Sequence, residues 1–155
     1  MAYVDITTRT SADTNSSADI NQLNDNIVYL KNISTPITLN IGGTLSTSAT
    51  AFKTTNGFTY EYYGSDLTIT DIRAVQGTAD KGGTQGTVDV KIGGTTAQSS
   101  AVSLSASDDT HVQATLTGTA DNLKIESGNS IEIDYVEGTN ADAENLAVFI
   151  YCKVT

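Results

Sequence analysis

The chain has 155 residues and a mass of 16.2 kDa, the size of one domain or of one domain with an appendage. Its 18 acidic and 8 basic residues give a formal charge of −10, which argues against a nucleic-acid-binding surface, because such a surface needs clustered Lys and Arg. One cysteine and one histidine exclude an internal disulfide and a Cys/His zinc cluster, and no apolar run is long enough to span a membrane.

Residues 1–35 are predicted to form an N-terminal arm and one short α-helix, over about residues 18–31. Apolar residues three and four positions apart fall on one stripe of a helix. The stripe consists of Ile20, Leu23, Ile27 and Leu30. Ser16 and Asp19 resemble a capping box at its start, and Pro36 blocks helix beyond its end.

This helix is too short to be stable alone. Burying its four apolar side chains yields roughly 6–12 kcal/mol, whereas ordering its backbone costs roughly 14–28 kcal/mol, offset in part by helical hydrogen bonds. The helix must therefore pack on its own β-domain or on other copies of the chain. Its narrow stripe resembles a coiled-coil seam more than a core-packed face, which favours oligomerisation.

Residues 36–155 are predicted to form a mainly β domain, because apolar and polar residues alternate almost throughout. The parity of the alternation shifts between Ile69 and Ile72, which predicts a bulge near Asp71. Gly93-Gly94 indicates a hairpin turn. Eight to ten short strands with frequent turn signals are typical of an antiparallel β-sandwich, jelly-roll-like in form.

The last predicted strand is apolar on both faces. One face carries Leu146, Val148, Ile150, Cys152 and Val154, and the other carries Ala147, Phe149 and Tyr151. A strand of this kind is expected at the centre of a sheet or against a partner.

Candidate chemical groups favour structural interpretations. His111, beside Asp108 and Asp109, lacks the motif of a hydrolytic nucleophile and is expected to face water, so no catalytic residue is predicted. Cys152 is expected to be a small core residue. Acidic residues in and after the strand near residue 131 suggest either a solvated strand face or a loop calcium site that fits no EF-hand, and the first is favoured. They are Glu132, Asp134, Glu137, Asp142 and Glu144.

Alternating aromatic residues between 58 and 63 suggest a sugar-stacking surface. Tyr60, Tyr62 and Tyr63, with Phe58, are the residue types on which sugar rings stack. A half-core, half-surface strand is the alternative.

The opening AYVDITTRTSADTNSSADINQLNDNIVYLKN resembles the N-termini of virion-attached proteins of tailed bacteriophages. Residues 86–105, GTVDVKIGGTTAQSSAVSLS, and 130–154, SIEIDYVEGTNADAENLAVFIYCKV, are similar to small β-sandwich domains of phage head decoration and fibre proteins. The resemblance implies a homotrimer on the capsid exterior, whose arm and helix contact the capsid or neighbouring copies.

These observations predict a non-enzymatic capsid decoration or cement protein without cofactor or metal. Its partners would be further copies of itself and the major capsid protein, with no nucleic acid and no membrane, and Tyr3, Val4 and Ile6 would anchor the arm. Since residues 1–9 lack the apolar part of a secretion signal, we expect assembly in the host cytoplasm. The alternative is a fibre or tail-tip adhesin that binds a host-surface glycan through the three tyrosines.

Overall fold

A computed structural model describes residues 35–45, 58–80, 83–139 and 142–155, with the backbone alone at 35 and 58–60. The predicted arm and helix lie outside the described residues. Over the described part, the chain forms ten strands and one 3₁₀ turn at Ala120–Leu123. The strands are β1 Thr35–Thr44, β2 Phe58–Glu61, β3 Leu67–Thr78, β4 Thr87–Ile92, β5 Thr95–Thr96, β6 Val102–Ser103, β7 Val112–Gln113, β8 Lys124–Ile125, β9 Ser130–Val136 and β10 Glu144–Val154.

The strands form two antiparallel sheets. In the first, which we call the β10 sheet, the order is β1-β10-β3-β7, and β8 also pairs with β3. In the second, the β9 sheet, the order is β2-β9-β4-β5, and β6 also pairs with β4.

The pairing is nested along the chain. The first strand pairs with the last, β2 with β9, β3 with β7 and β8, and β4 with β5 and β6. A long antiparallel hairpin that is rolled up across two sheets gives this order, which is that of a jelly roll. The predicted mainly β, antiparallel, jelly-roll-like sandwich is therefore confirmed.

The core lies between the two sheets and follows the alternation in the sequence. Side chains at every second position of the long strands are fully or almost fully buried. The β9 sheet contributes Val88, Val90, Ile92, Ile131, Ile133 and Tyr135, and the β10 sheet contributes Ile69, Ile72, Ala74, Leu146, Val148, Ile150 and Cys152.

A bulge in β3 keeps this alternation directed at the core. Tyr151 of β10 pairs with Asp71, but Cys152 pairs with Ile69, so Thr70 is the inserted residue. The extra residue restores Ile69 and Ile72 to the same buried face. The bulge predicted near Asp71 is confirmed.

The two remaining strand predictions are also confirmed. β10 lies between β1 and β3, and on its outer face Ala147, Phe149 and Tyr151 are half-buried. Gly93 and Gly94 join β4 to β5 with φ values of 54° and 80°, a left-handed pair that glycine adopts without strain.

Candidate functional site

The residues predicted to mediate assembly lie outside the described part of the chain. They are Ile20, Leu23, Ile27 and Leu30 of the helix, and Tyr3, Val4 and Ile6 of the arm. Residue 35, the last of the predicted N-terminal segment, begins β1 and pairs with Cys152 near the end of β10. β1 is an edge strand of the β10 sheet.

The three tyrosines of the predicted glycan site differ in their surroundings. Tyr60 lies in β2, where its backbone pairs with that of Ile131 in β9. Tyr62 is half-buried against the core, and its hydroxyl donates a hydrogen bond of 2.7 Å to the carbonyl oxygen of Ser65. Tyr63 is 74% exposed, and its hydroxyl donates to Glu61 Oε2 at 2.8 Å. Of the two whose side chains are described, Tyr63 alone presents an open ring face.

A polar cleft of about 220 Å³ opens at one end of the sandwich, and neither Tyr62 nor Tyr63, the two tyrosines whose side chains are described, lines it. Its lining comes from the β4–β5 hairpin, the 3₁₀ turn, β8 and the turn before β9. The lining residues are Ile92, Thr95, Asp121, Asn122, Lys124, Glu126 and Asn129. Hydroxyl, amide and charged groups around a cleft of this size can exchange hydrogen bonds with a small polar ligand.

Backbone hydrogen bonds connect this cleft to the tyrosine segment. The Tyr62 N–H donates to the Asn129 carbonyl at 2.9 Å, and the Gly128 N–H donates to the Tyr62 carbonyl at 2.7 Å. Asn129 also accepts the Glu126 N–H with its side-chain Oδ1, at 2.8 Å. The turn at 126–129 therefore holds one wall of the cleft against the segment that carries the tyrosines.

An ion pair is part of the cleft lining. Lys124 Nζ is 2.7 Å from Asp121 Oδ1. The hydrogen bond and charge of Lys124 lower the pKa of Asp121, and those of Asp121 raise the pKa of Lys124. Both groups are exposed, so the pair sets the charge pattern of the cleft and adds little stability.

The outer face of the β10 sheet combines aromatic rings with a charged network. The Arg73 guanidinium lies 5.9 Å from the centre of the Tyr151 ring, and its Nε donates to Asp71 at 2.8 Å. His111 and Phe149 have ring centres 5.5 Å apart. His111 is exposed, as the sequence predicts. This face, with Phe149 and Tyr151 at its centre, is suited to contact with another surface.

The outer face of the β9 sheet carries two of the five acidic residues that the sequence suggested, and Glu144 belongs to β10 in the other sheet. Glu132 and Asp134 are half-buried on that face, where Asp134 pairs with Lys91 and Glu132 accepts the Ser130 hydroxyl at 2.6 Å. Among the described residues, no group of three or more His, Cys, Asp or Glu side chains is placed to hold a metal.

Cys152 is buried in the core, with 1% of its surface exposed. Burial raises the pKa of its thiol to about 11, so the thiol is protonated and unreactive at neutral pH. Its predicted placement as a small core residue is confirmed.

Over the described ranges, no helix has the length and apolar character needed to cross a bilayer.

Asp80 is a candidate that the sequence did not single out. Of the charged side chains in the described part of the chain, that of Asp80 is the one that is fully buried. It lies two residues after the end of β3. Sequence gave no signal for this, because the following Lys81-Gly82-Gly83 reads as an exposed loop.

The strand order defines the chain as a jelly-roll protein. This is a structural class, and it does not by itself assign a function. No protein-family model matches the chain, and no curated protein matches it. Among solved structures, the capsid of Ralstonia phage GP4 is similar, with a TM-score of 0.45 and 15% identity over 80% of this chain and 86% of that chain. A likeness of this degree carries no assignment.

Proposed function

We propose that this chain is a structural protein of a tailed-bacteriophage virion, a decoration or cement protein that binds the outside of the head as a homo-oligomer, with three copies the expected number. The observation that carries the proposal is the nested strand pairing, since jelly rolls are the fold of many viral capsid and lectin domains. Fold alone does not assign function, so particular residues must favour one role.

Three features of the chain favour contact with a virion. The N-terminal stretch resembles those of virion-attached phage proteins. The central strand β10 presents Phe149 and Tyr151 on the outer face of its sheet, half exposed to solvent. Aromatic side chains in such a position stabilise contact with another surface, because the contact removes their rings from water. A net charge of −10 disfavours a position against packaged DNA, and so favours the exterior of the head.

The proposed mechanism is mechanical. The helix stripe joins copies of the chain, and each copy brings one arm to the same position on the capsid. Once one arm is bound, the linked arms are held at a high effective concentration near their own sites. The oligomer therefore binds the major capsid protein with a higher affinity than a single arm does. Capsid subunits held by one oligomer are then harder to separate.

The helix stripe is tested by a double substitution, Leu23→Asp with Ile27→Asp. Two charges on the stripe oppose helix pairing, so light scattering is expected to report a smaller oligomer, and binding to stripped capsids is expected to fall. Gln22→Asp with Asn26→Asp adds the same charge off the stripe and serves as the control. If the two double variants associate and bind capsids equally well, the stripe is not the assembly surface.

The arm is tested separately by replacing Tyr3, Val4 and Ile6 with Ala. This variant is expected to keep its oligomeric state, because the helix is intact, and to lose binding to stripped capsids. Full capsid binding by the variant would contradict the role of the arm.

The second candidate is a fibre or tail-tip adhesin that binds a host-surface glycan. The exposed Tyr63 ring and the polar cleft favour it. The half-buried Tyr62 ring, whose hydroxyl is bonded to Ser65, weighs against a three-tyrosine platform. Glycan-array binding that falls for Tyr63→Ala or Asn122→Ala would support this role, and an array without binding would leave decoration as the function.

A further inference from the structure

The carboxylate of Asp80 is buried without a described partner. Its side chain has 0% of its surface exposed, and neither carboxylate oxygen accepts a hydrogen bond from any described residue. An ionised carboxylate removed from water is costly unless it is paired, hydrogen-bonded or bound to a metal ion. Something other than the described donors must therefore satisfy it.

The Thr84 carbonyl oxygen lies beside this carboxylate, and the Gln85 side chain is bonded to the main chain of Asp80. A Cβ atom built on Gly138 would be 1.9 Å from Asp80 Oδ2 and 2.4 Å from the carbonyl oxygen of Thr84, so both oxygens adjoin the same small volume. Gln85 Nε2 donates to the Asp80 carbonyl at 2.7 Å, which holds that amide beside Asp80. Its Oε1 is buried and accepts no hydrogen bond from a described residue.

Two loops are joined at this point, one after β3 and one after β9. The Thr84 N–H donates to Thr139 Oγ1 at 3.0 Å, and the Thr139 N–H donates to the Thr84 carbonyl at 2.9 Å. That carbonyl oxygen has a second lone pair available. The hydrogen bonds between Thr84 and Thr139 thus hold the Thr84 carbonyl at the junction of the two loops.

The surroundings of the junction are negative. The pKa of Tyr135 is raised to about 12, mainly by burial and to a smaller extent by the negative charges of Asp80 and Glu137. A positively charged occupant near Asp80 would offset this local field.

We propose that Asp80, Gln85 Oε1 and the Thr84 carbonyl form part of a calcium site that ties the two loops together. Carboxylate, amide and carbonyl oxygens in irregular geometry are the ligand set that calcium accepts, whereas magnesium requires near-ideal octahedral geometry. Softer metals prefer thiolate and imidazole ligands, and the chain's one thiol, Cys152, lies in the core between the sheets. The proposed ion therefore binds at Asp80, which is not one of the acidic residues that the sequence suggested for a loop calcium site.

Calorimetric titration of the EDTA-treated, dialysed full chain with calcium chloride tests the site. We expect saturable binding of one ion per chain, together with a higher melting temperature in calcium than in EDTA. Asp80→Asn is expected to lose at least about tenfold in calcium affinity, because it removes the buried charge. Asp66→Asn, the same change at an exposed position away from the cleft, is expected to retain wild-type affinity.

Two outcomes identify another partner and overturn the proposal. If Lys81→Met lowers stability while calcium leaves the melting temperature unchanged, a lysine ammonium satisfies Asp80. If stability rises on acidification with no calcium effect, a proton does so. Equal calcium binding by wild type and Asp80→Asn also overturns it.

A terbium titration keeps the proposal testable even if Asp80→Asn fails to fold. Wild-type protein is expected to give tyrosine-sensitised terbium luminescence that calcium displaces, and Tyr135→Phe is expected to weaken it. A wild-type chain without a calcium-displaceable signal overturns the proposal independently of any variant.

Discussion

Neighbouring residues of β10 face opposite sides of the sheet, and truncating each should have very different effects. Ile150 has 0% of its surface exposed and lies between Ile37 of β1 and Ile72 of β3. Ile150→Ala removes three carbon atoms, worth about 2.4 kcal/mol in transfer free energy. Because strands on both sides limit collapse of the cavity, the total loss should be about 3–5 kcal/mol. Phe149→Ala, on the half-buried outer face, should cost about 1 kcal/mol.

Urea unfolding of both variants measures the difference directly. The slope of the unfolding free energy against urea should be the same in each, so that the change in midpoint reports stability. A loss of about 5 kcal/mol approaches the whole stability of some domains, so Ile150→Ala could leave too little folded protein to measure. Ile150→Val, which is expected to cost about 1 kcal/mol, provides a milder truncation at the same position. Equal costs for Ile150→Ala and Phe149→Ala would refute the assignment of the two faces.

Three further predictions follow from single contacts. Gly138→Ala places a methyl group against Asp80 and a backbone carbonyl, so it should lower the free energy of unfolding by about 1–3 kcal/mol, whereas Gly118→Ala, with no atom near its added Cβ, should not. Cys152, whose pKa is raised to about 11, should react with a disulfide reagent at pH 8 at least about 100-fold more slowly in the folded chain than in urea, and equal rates would contradict its burial. Burial and nearby charge raise the pKa of Tyr135 from 10.0 to about 12, so the folded state holds its proton longer than the unfolded state. Stability should therefore fall as pH rises from 10 to 12, and Tyr135→Phe should flatten that dependence.

Local features of the β-domain were predictable from sequence because they follow from short-range geometry. The change of parity between Ile69 and Ile72 predicted the bulge at Thr70-Asp71, and Gly93-Gly94 predicted the β4–β5 turn. The two apolar faces around Ile150 predicted a central strand. Each of these depends on residues within a few positions of one another.

Long-range pairing was not predictable from sequence in the same way. The register that places Thr35 opposite Cys152 joins the two ends of the domain, and no short-range pattern specifies it. The polar cleft combines the β4–β5 hairpin with the 3₁₀ turn and the turn at 126–129, so its lining is assembled only in the fold. Asp80 looks like a loop residue in sequence, yet it is fully buried and lies against Gly138, which is 58 positions away in the chain.

The most direct test of the proposed role is the copy number of this chain in purified phage particles that contain it, measured by gel densitometry against the major capsid protein. A decoration protein is expected in a fixed ratio to the capsid protein, in hundreds of copies per particle. A few copies per particle, located at a fibre or tail tip, would contradict the account.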